Sequence, residues 1–150
     1  MKARLRFAEA GGMMAYWLFK SEPETYSWDD MVREGVGGWD GVRNHQAQSN
    51  MKAMQVGDRG FFYHSVNEKA IVGVVEVAEQ YQPDPTDPTG RWGMVKVRAL
   101  HPVTRRVTLA EIKADPDFAD LPLVRQSRLS VSPIPEAAWQ KLCRMAGIDP

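Results

Sequence analysis

The sequence predicts an α+β fold: one strongly bent, mostly antiparallel sheet, closed into a small barrel and flanked by short helices. Three observations predict it. Strand and helix signals follow one another as strand, helices, several strands, short helix, strand and helix, with no regular βαβ alternation. Neither an internal repeat nor a linker divides the chain. At 150 residues, 43% hydrophobic and 25% charged, it has the size and composition to bury one core.

The stretch "AYWLFK" (15–20) is an apolar strand, and Pro23 shortly after it forbids further ladder pairing. "SWDDMVREG" reads as a short helix: Ser27 caps it, Asp30 completes a capping box and Gly35 ends it. "GVGGWDGVRN" holds four glycines in ten residues and reads as a loop, after which "HQAQSNMKAM" is helical with Asn44 as N-cap. Strands are expected over 59–65 ("RGFFYHS") and 70–79 ("AIVGVVEVAE"), the second apolar enough to be covered on both faces. "YQPDPTDPTG" is an irregular, proline-rich excursion before a strand over 92–100, with Val95, Val97 and Ala99 on one face and Lys96 and Arg98 on the other. "TLAEIKAD" carries a second capping box, Thr108 with Glu111, and 128–131 is a short strand. "PEAAWQKLCRMAG" closes the chain as a helix, with Pro135 near its start, Gly147 at its end and a buried stripe of Trp139, Leu142 and Met145 or Ala146.

Charge and composition narrow the function. Lys+Arg and Asp+Glu both number 19, so no global field steers the chain onto a polyanion or an acidic membrane. That leaves open a protein that recognises one nucleotide in a pocket. Cys143 is the only cysteine, which excludes a disulfide framework and a cysteine metal cluster. No apolar run approaches the ~20 residues that span a bilayer. The first residues lack the apolar region of a signal peptide, so cytoplasm is the expected location. Met13 and Met14 directly precede the first strand, so residues 1–13 read as an extension and 14–150 as the domain.

Enzymatic chemistry has no visible home. His45, His64 and His101 are not paired at metal-ligand spacing, and no metal or cofactor is called for. His64 and Ser65 point to opposite faces of a strand and cannot form a base–nucleophile pair. Cys143, beside the apolar stripe of the last helix, reads as a small buried hydrophobe.

What remains is aromatic and polar. Of the five tryptophans, Trp17, Trp28 and Trp139 read as core. Trp39, in "GGWDG", sets a large ring in a glycine-rich loop, where it is expected to touch ligand and to be removable at little cost in stability. Trp92 stands at the mouth of a strand after the proline-rich excursion. Ser21, Asn44, Gln46, His64 and Ser65 supply polar groups for the edge of a flat ligand whose faces the rings would stack on, and a nucleobase is the obvious one. Residues 91–113 hold six basic residues (Arg91, Lys96, Arg98, Arg105, Arg106, Lys113) against Glu111, so Lys96, Arg98, Arg105 and Arg106 are expected to contact phosphates.

The motifs "YWLFKSEPETYSWDD", "WDGVRNHQAQSNMKAMQVGDRGFFYHS", "AIVGVVEV" and "RQSRLSVSPI", in that order, resemble the EVE domain family of the PUA-like superfamily, over roughly Ala15 to Ile148. That family is similar in fold to the YTH domains and more distantly to the ASCH and PUA modules. The resemblance implies a compact PUA-like barrel with a pocket for a single, often modified, nucleobase. By motif, Lys20, Ser21 and Glu22 end the first strand at that pocket, Trp39 is its first cage wall with Asn44 and Gln46 beside it, and Trp92 is a second wall. Tyr63, His64 and Ser65 close another side, and Arg125, Ser127 and Arg128 come from the late motif. The chain departs from the family pattern at His45 and Gln48.

The leading reading is therefore a non-enzymatic nucleic-acid-binding module that recognises a modified base of DNA or RNA. A sensor of free nucleotides using the same pocket is the alternative, and an RNA- or base-modifying enzyme ranks last. A monomer is expected. Trp39, Ser21, Asn44 and His64 should line one concave site.

Overall fold

The structure, a computed structural model, describes residues 14–150, and the expected extension over residues 1–13 lies outside them. Among these residues, six strands form a single mixed sheet: β1 (Tyr16–Ser21), β2 (Val36–Gly38), β3 (Arg59–His64), β4 (Ala70–Pro83), β5 (Gly93–Thr108) and β6 (Val131–Ile134), in the spatial order β2-β5-β4-β3-β1-β6. Only β1 and β3 run parallel, with Ser21 opposite His64 at their carboxyl ends, and every other pair is antiparallel. Register shifts along β4–β5, between Ile71/Gly73, Val74/Val75, Val77/Glu79 and Glu79/Gln82, bend this long hairpin. The sheet curls accordingly.

The curl does not close into the expected barrel. β2 and β6 remain edges, and helix α2 (His45–Ala53) packs against β4, β5 and β6 across the opening. The edge is satisfied by other means: Asn50 Nδ2 of α2 donates to the Val131 carbonyl of β6 at 2.8 Å, and Pro133 has no N–H to leave bare.

Both faces of the sheet are covered. One core cluster holds Trp17, Phe19, Trp28, Met31, Trp39, Phe62 and Val75, under α1 (Trp28–Glu34) and α2. The other holds Leu18, Phe61, Tyr63, Ile71 and Val107 beneath the last helix, α5 (Glu136–Met145). Strict alternation along β1 and β3 sends neighbours to opposite clusters, which is why "YWLF" and "FFY" read as unbroken apolar runs. Trp139 of α5 stacks on Phe61 at 4.1 Å and Tyr16 at 4.4 Å.

The local signals hold closely. Ser27 and Asp30 make the reciprocal capping box of α1, Asn44 Oδ1 accepts the Ala47 N–H at 2.9 Å, and Thr108 with Glu111 caps α3 (Leu109–Ala114). Between α3 and β6 lie a single 3-10 turn, Pro116–Phe118, and the short α4 (Pro122–Arg125). Two expectations shift. The glycine-rich loop contains β2, paired with Lys96–Arg98 of β5, and a side chain at Gly37 would meet the Glu34 carboxylate and the Tyr26 hydroxyl. The late strand starts at Val131, because Leu129 N–H is still turned onto Gln126 O.

Candidate nucleobase-binding groove

The groove lies where β1 and β3 end. Backbone pairing continues there from Ser65 N–H to Ser21 O at 2.9 Å, and Pro23 then diverts the chain over the opening. Ser21 Oγ donates to the Tyr26 carbonyl, which ties this turn down and brings the Tyr26 ring above Trp39. Lys20 Nζ reaches across to the Ser127 carbonyl at 2.8 Å, joining the strand end to the late motif, and burial pushes its pKa down.

The result is a concavity of about 840 Å3. Lys20, Ser21, Glu22, Trp39, Asn44, Ser65, Ser127 and Arg128 all line it, as the sequence predicts. Tyr26, Asp40 and Arg43 line it too; they lie inside the two leading motifs, but nothing in their residue types singled them out there. Its lining carries both signs of charge, with the carboxylates Glu22, Glu34 and Asp40 and the cations Lys20, Arg43 and Arg128. Burial, then the neighbouring Asp84 carboxylate, raises the Asp40 pKa. Burial and the Glu34 carboxylate 2.5 Å away hold the Tyr26 hydroxyl protonated far above its ordinary range.

Trp39 differs from its expectation. Its ring is only 7% exposed and meets Phe19, Phe62 and Tyr26 edge-on at 5.2, 5.6 and 6.3 Å, so it is a core residue that also forms groove wall. The loop after it is held from beneath. Asp84, buried, accepts the Gly41 N–H at 2.8 Å and Arg43 Nη1 at 3.0 Å, while buried Gln48 bridges the Val42 and Gly93 carbonyls at 2.9 Å each. Gln48, a departure from the family pattern, is thus a structural staple. Burial alone would raise the Asp84 carboxyl, but hydrogen bonds from Thr86, Gly41 and Arg43 outweigh it and hold the pKa at about 2.

Other predicted residues fall elsewhere. Tyr63 points into the opposite core cluster, because it alternates with Phe62 along β3, and burial pushes its pKa up to about 12. Gln46 and Arg125 line a smaller adjoining hollow of about 320 Å3, which shares Asn44, Ser127 and Arg128 with the groove. Trp92 sits outside both, tilted against His45. The expected phosphate contacts are neutralised in the fold: Lys96 faces Glu79 at 3.7 Å, Arg98 faces Glu76 at 3.1 Å, and Arg105 and Arg106 pair with Glu111 and Glu68. The basic run is local in sequence, and the partner strand and turns bring the acids. Arg128 and Lys20 make no ion pair among the described residues.

His64 also lies behind the groove wall. Its Nε2 accepts the Trp28 N–H at 3.0 Å at the start of α1, which requires the neutral ring with the proton on Nδ1, facing Glu68 Oε1 at 3.2 Å. Burial, then Arg106, lowers its pKa, with Asp29 and Glu24 pulling the other way. A depressed histidine pKa stabilises the fold above the unfolded value of 6.5, and that contribution is lost as pH falls from there through the folded pKa. Melting temperature should therefore drop more between pH 7.5 and 5 for the wild type than for His64→Gln. Parallel curves for the two proteins would remove His64 as the titrating group.

Among the described residues, no group of three or more His, Cys, Asp or Glu side chains is placed to hold a metal, and no helix is long and apolar enough to cross a membrane.

One curled mixed sheet, helices on both faces and a polar–aromatic groove at one end define a class of small α+β domains. The EVE domain model matches residues 15–145, and the chain belongs to the EVE domain family. Human thymocyte nuclear protein 1 is 30% identical, over 92% of this chain and 76% of its own. A Rhodopseudomonas palustris protein solved by NMR is 47% identical with a TM-score of 0.84, covering 89% of this chain and 94% of its own. The human THYN1 protein, crystallised in complex with 5-methylcytosine containing DNA, superposes with a TM-score of 0.84 at 28% identity, over 91% of this chain and 99% of that one. A Zygosaccharomyces rouxii YTH domain shares the fold alone, at 17% identity and a TM-score of 0.59 over 96% of this chain and 94% of that one.

Proposed function

We infer that the protein is a non-catalytic reader of a modified nucleobase in DNA or RNA, which takes a flipped or unpaired base into the groove. The observation that carries this is the groove itself, which gathers the Trp39 and Tyr26 rings, the Ser21 and Asn44 edge-reading groups and the Lys20 and Arg128 cations in one site of nucleotide size. The 28%-identical human protein that is bound to 5-methylcytosine containing DNA supports the ligand class. The carboxylates of the groove lining suit a base that presents an exocyclic amino group, since Asp and Glu accept from such N–H donors.

Phosphate contact belongs, on this reading, to Arg128 and Lys20 in place of the paired cations of β5. Titrating oligonucleotides with and without a central 5-methylcytosine at two salt concentrations tests it. Binding should favour the modified strand and fall with salt. Arg128→Ala should weaken all sequences alike and reduce the salt slope by about one, whereas Arg98→Ala, whose guanidinium is held by Glu76, should change neither. Tighter binding of the free nucleotide than of any oligonucleotide would favour the sensor, and product release with turnover would reverse the non-catalytic reading.

A further inference from the structure

We propose that Trp92 and His45 form a second stacking platform, outside the groove, for the base adjacent to the one in the groove. It rests on the reading of the groove as a nucleobase site.

Trp92 belongs to neither core cluster and lines neither hollow, and part of its surface stays open to solvent. Its centroid lies 5.0 Å from that of His45, with 36° between the planes. Arg43 and Arg91 approach the same ring at 6.0 and 5.7 Å. Its backbone is pinned: the Trp92 N–H donates to Asp87 Oδ2 at 2.7 Å, and its carbonyl accepts the Asp84 N–H at 3.1 Å. An indole held on a fixed loop among cations, and not used to fill a core, fits a base stacked on its face with a backbone phosphate alongside.

Arg43 makes the link. It lines the groove, is fixed by Asp84 and by Thr86 Oγ1 at 3.2 Å, and also approaches Trp92. The two base sites therefore share one rigid wall, and a strand whose central base enters the groove brings its neighbour to Trp92. Arg91, which makes no ion pair among the described residues, stands where the next phosphate would pass.

The test compares two probes on the wild type, Trp92→Ala and His45→Ala: 5-methyldeoxycytidine monophosphate, and a single-stranded trinucleotide with 5-methylcytosine at its centre. The wild type should bind the trinucleotide more tightly than the mononucleotide. Trp92→Ala should lose about tenfold on the trinucleotide, with the mononucleotide unchanged, and His45→Ala should lose less, in the same pattern. Equal losses on both probes would make Trp92 a brace for the groove, and no loss on either would leave the platform without a role. Each result overturns the proposal. If Trp92→Ala fails to fold, the His45→Ala pattern decides alone. A wild type that binds both probes equally removes the platform and keeps the groove. A wild type that binds neither removes both.

Discussion

Trp39→Ala should lower the free energy of unfolding by about 3–5 kcal/mol, as large-to-small changes at buried aromatic positions do. The ring is 7% exposed and packs edge-on against Phe19 and Phe62 within the core cluster that also contains Trp28 and Met31. The cavity left behind would open into the groove. Binding of a modified-base oligonucleotide, measured below the melting temperature of the variant, should weaken by a further ~1–3 kcal/mol from lost stacking. Trp39→Phe should recover much of the stability and part of the affinity. Chemical denaturation of the three proteins decides the matter: a variant as stable as the wild type would return Trp39 to the exposed loop position that its glycine-rich surroundings suggest.

Asp84→Ala should be the next most damaging change, at about 2–4 kcal/mol, because it strips several charge-assisted bonds from one buried carboxylate. The Gly41 N–H, the Thr86 N–H and the Arg43 guanidinium would all lose their acceptor. Arg43 keeps a 37% exposed side chain, so water relieves part of its loss, and the figure sits below that for a fully enclosed pair. The carboxyl, held at about 2 against an ordinary 3.8, contributes fully above 3.8, and the contribution is lost as pH falls through about 2. Neutral-pH melting curves should therefore show the whole effect, with Asp84→Asn intermediate. Because Gly41 and Arg43 line the groove, affinity should fall for every ligand together. A change in selectivity at unchanged stability would contradict a positioning role.

Much of the fold was legible because its instructions are local. Ser27 with Asp30, Asn44 with Ala47, and Thr108 with Glu111 lie three residues apart, so cap and capped group can be read in one glance along the chain. The strands of the two cores announced themselves as unbroken apolar runs, although the length of β5 did not. Pro102, which suggests an end, is accommodated at a register shift opposite Gly73. β2 was hidden because its pairing to β5 is made by backbone alone through glycines, which carry no strand signal.

By itself the sequence determined the class of fold, the caps and the family, and it named eight groove residues whose motifs end at one place: Lys20, Ser21, Glu22, Trp39, Asn44, Ser65, Ser127 and Arg128. Tertiary structure alone decided the rest. It buried Trp39 while leaving Trp92 outside, sent Tyr63 to the far core and gave His64 to the first turn of α1. It also neutralised the basic run of β5 with Glu68, Glu76 and Glu79, which precede it on the partner strand and turn. The physical reason is common to all of these. Burial and charge pairing depend on which side chains a curled sheet brings opposite one another, and those partners lie tens of positions away, as Arg106 does from Glu68 at a separation of 38.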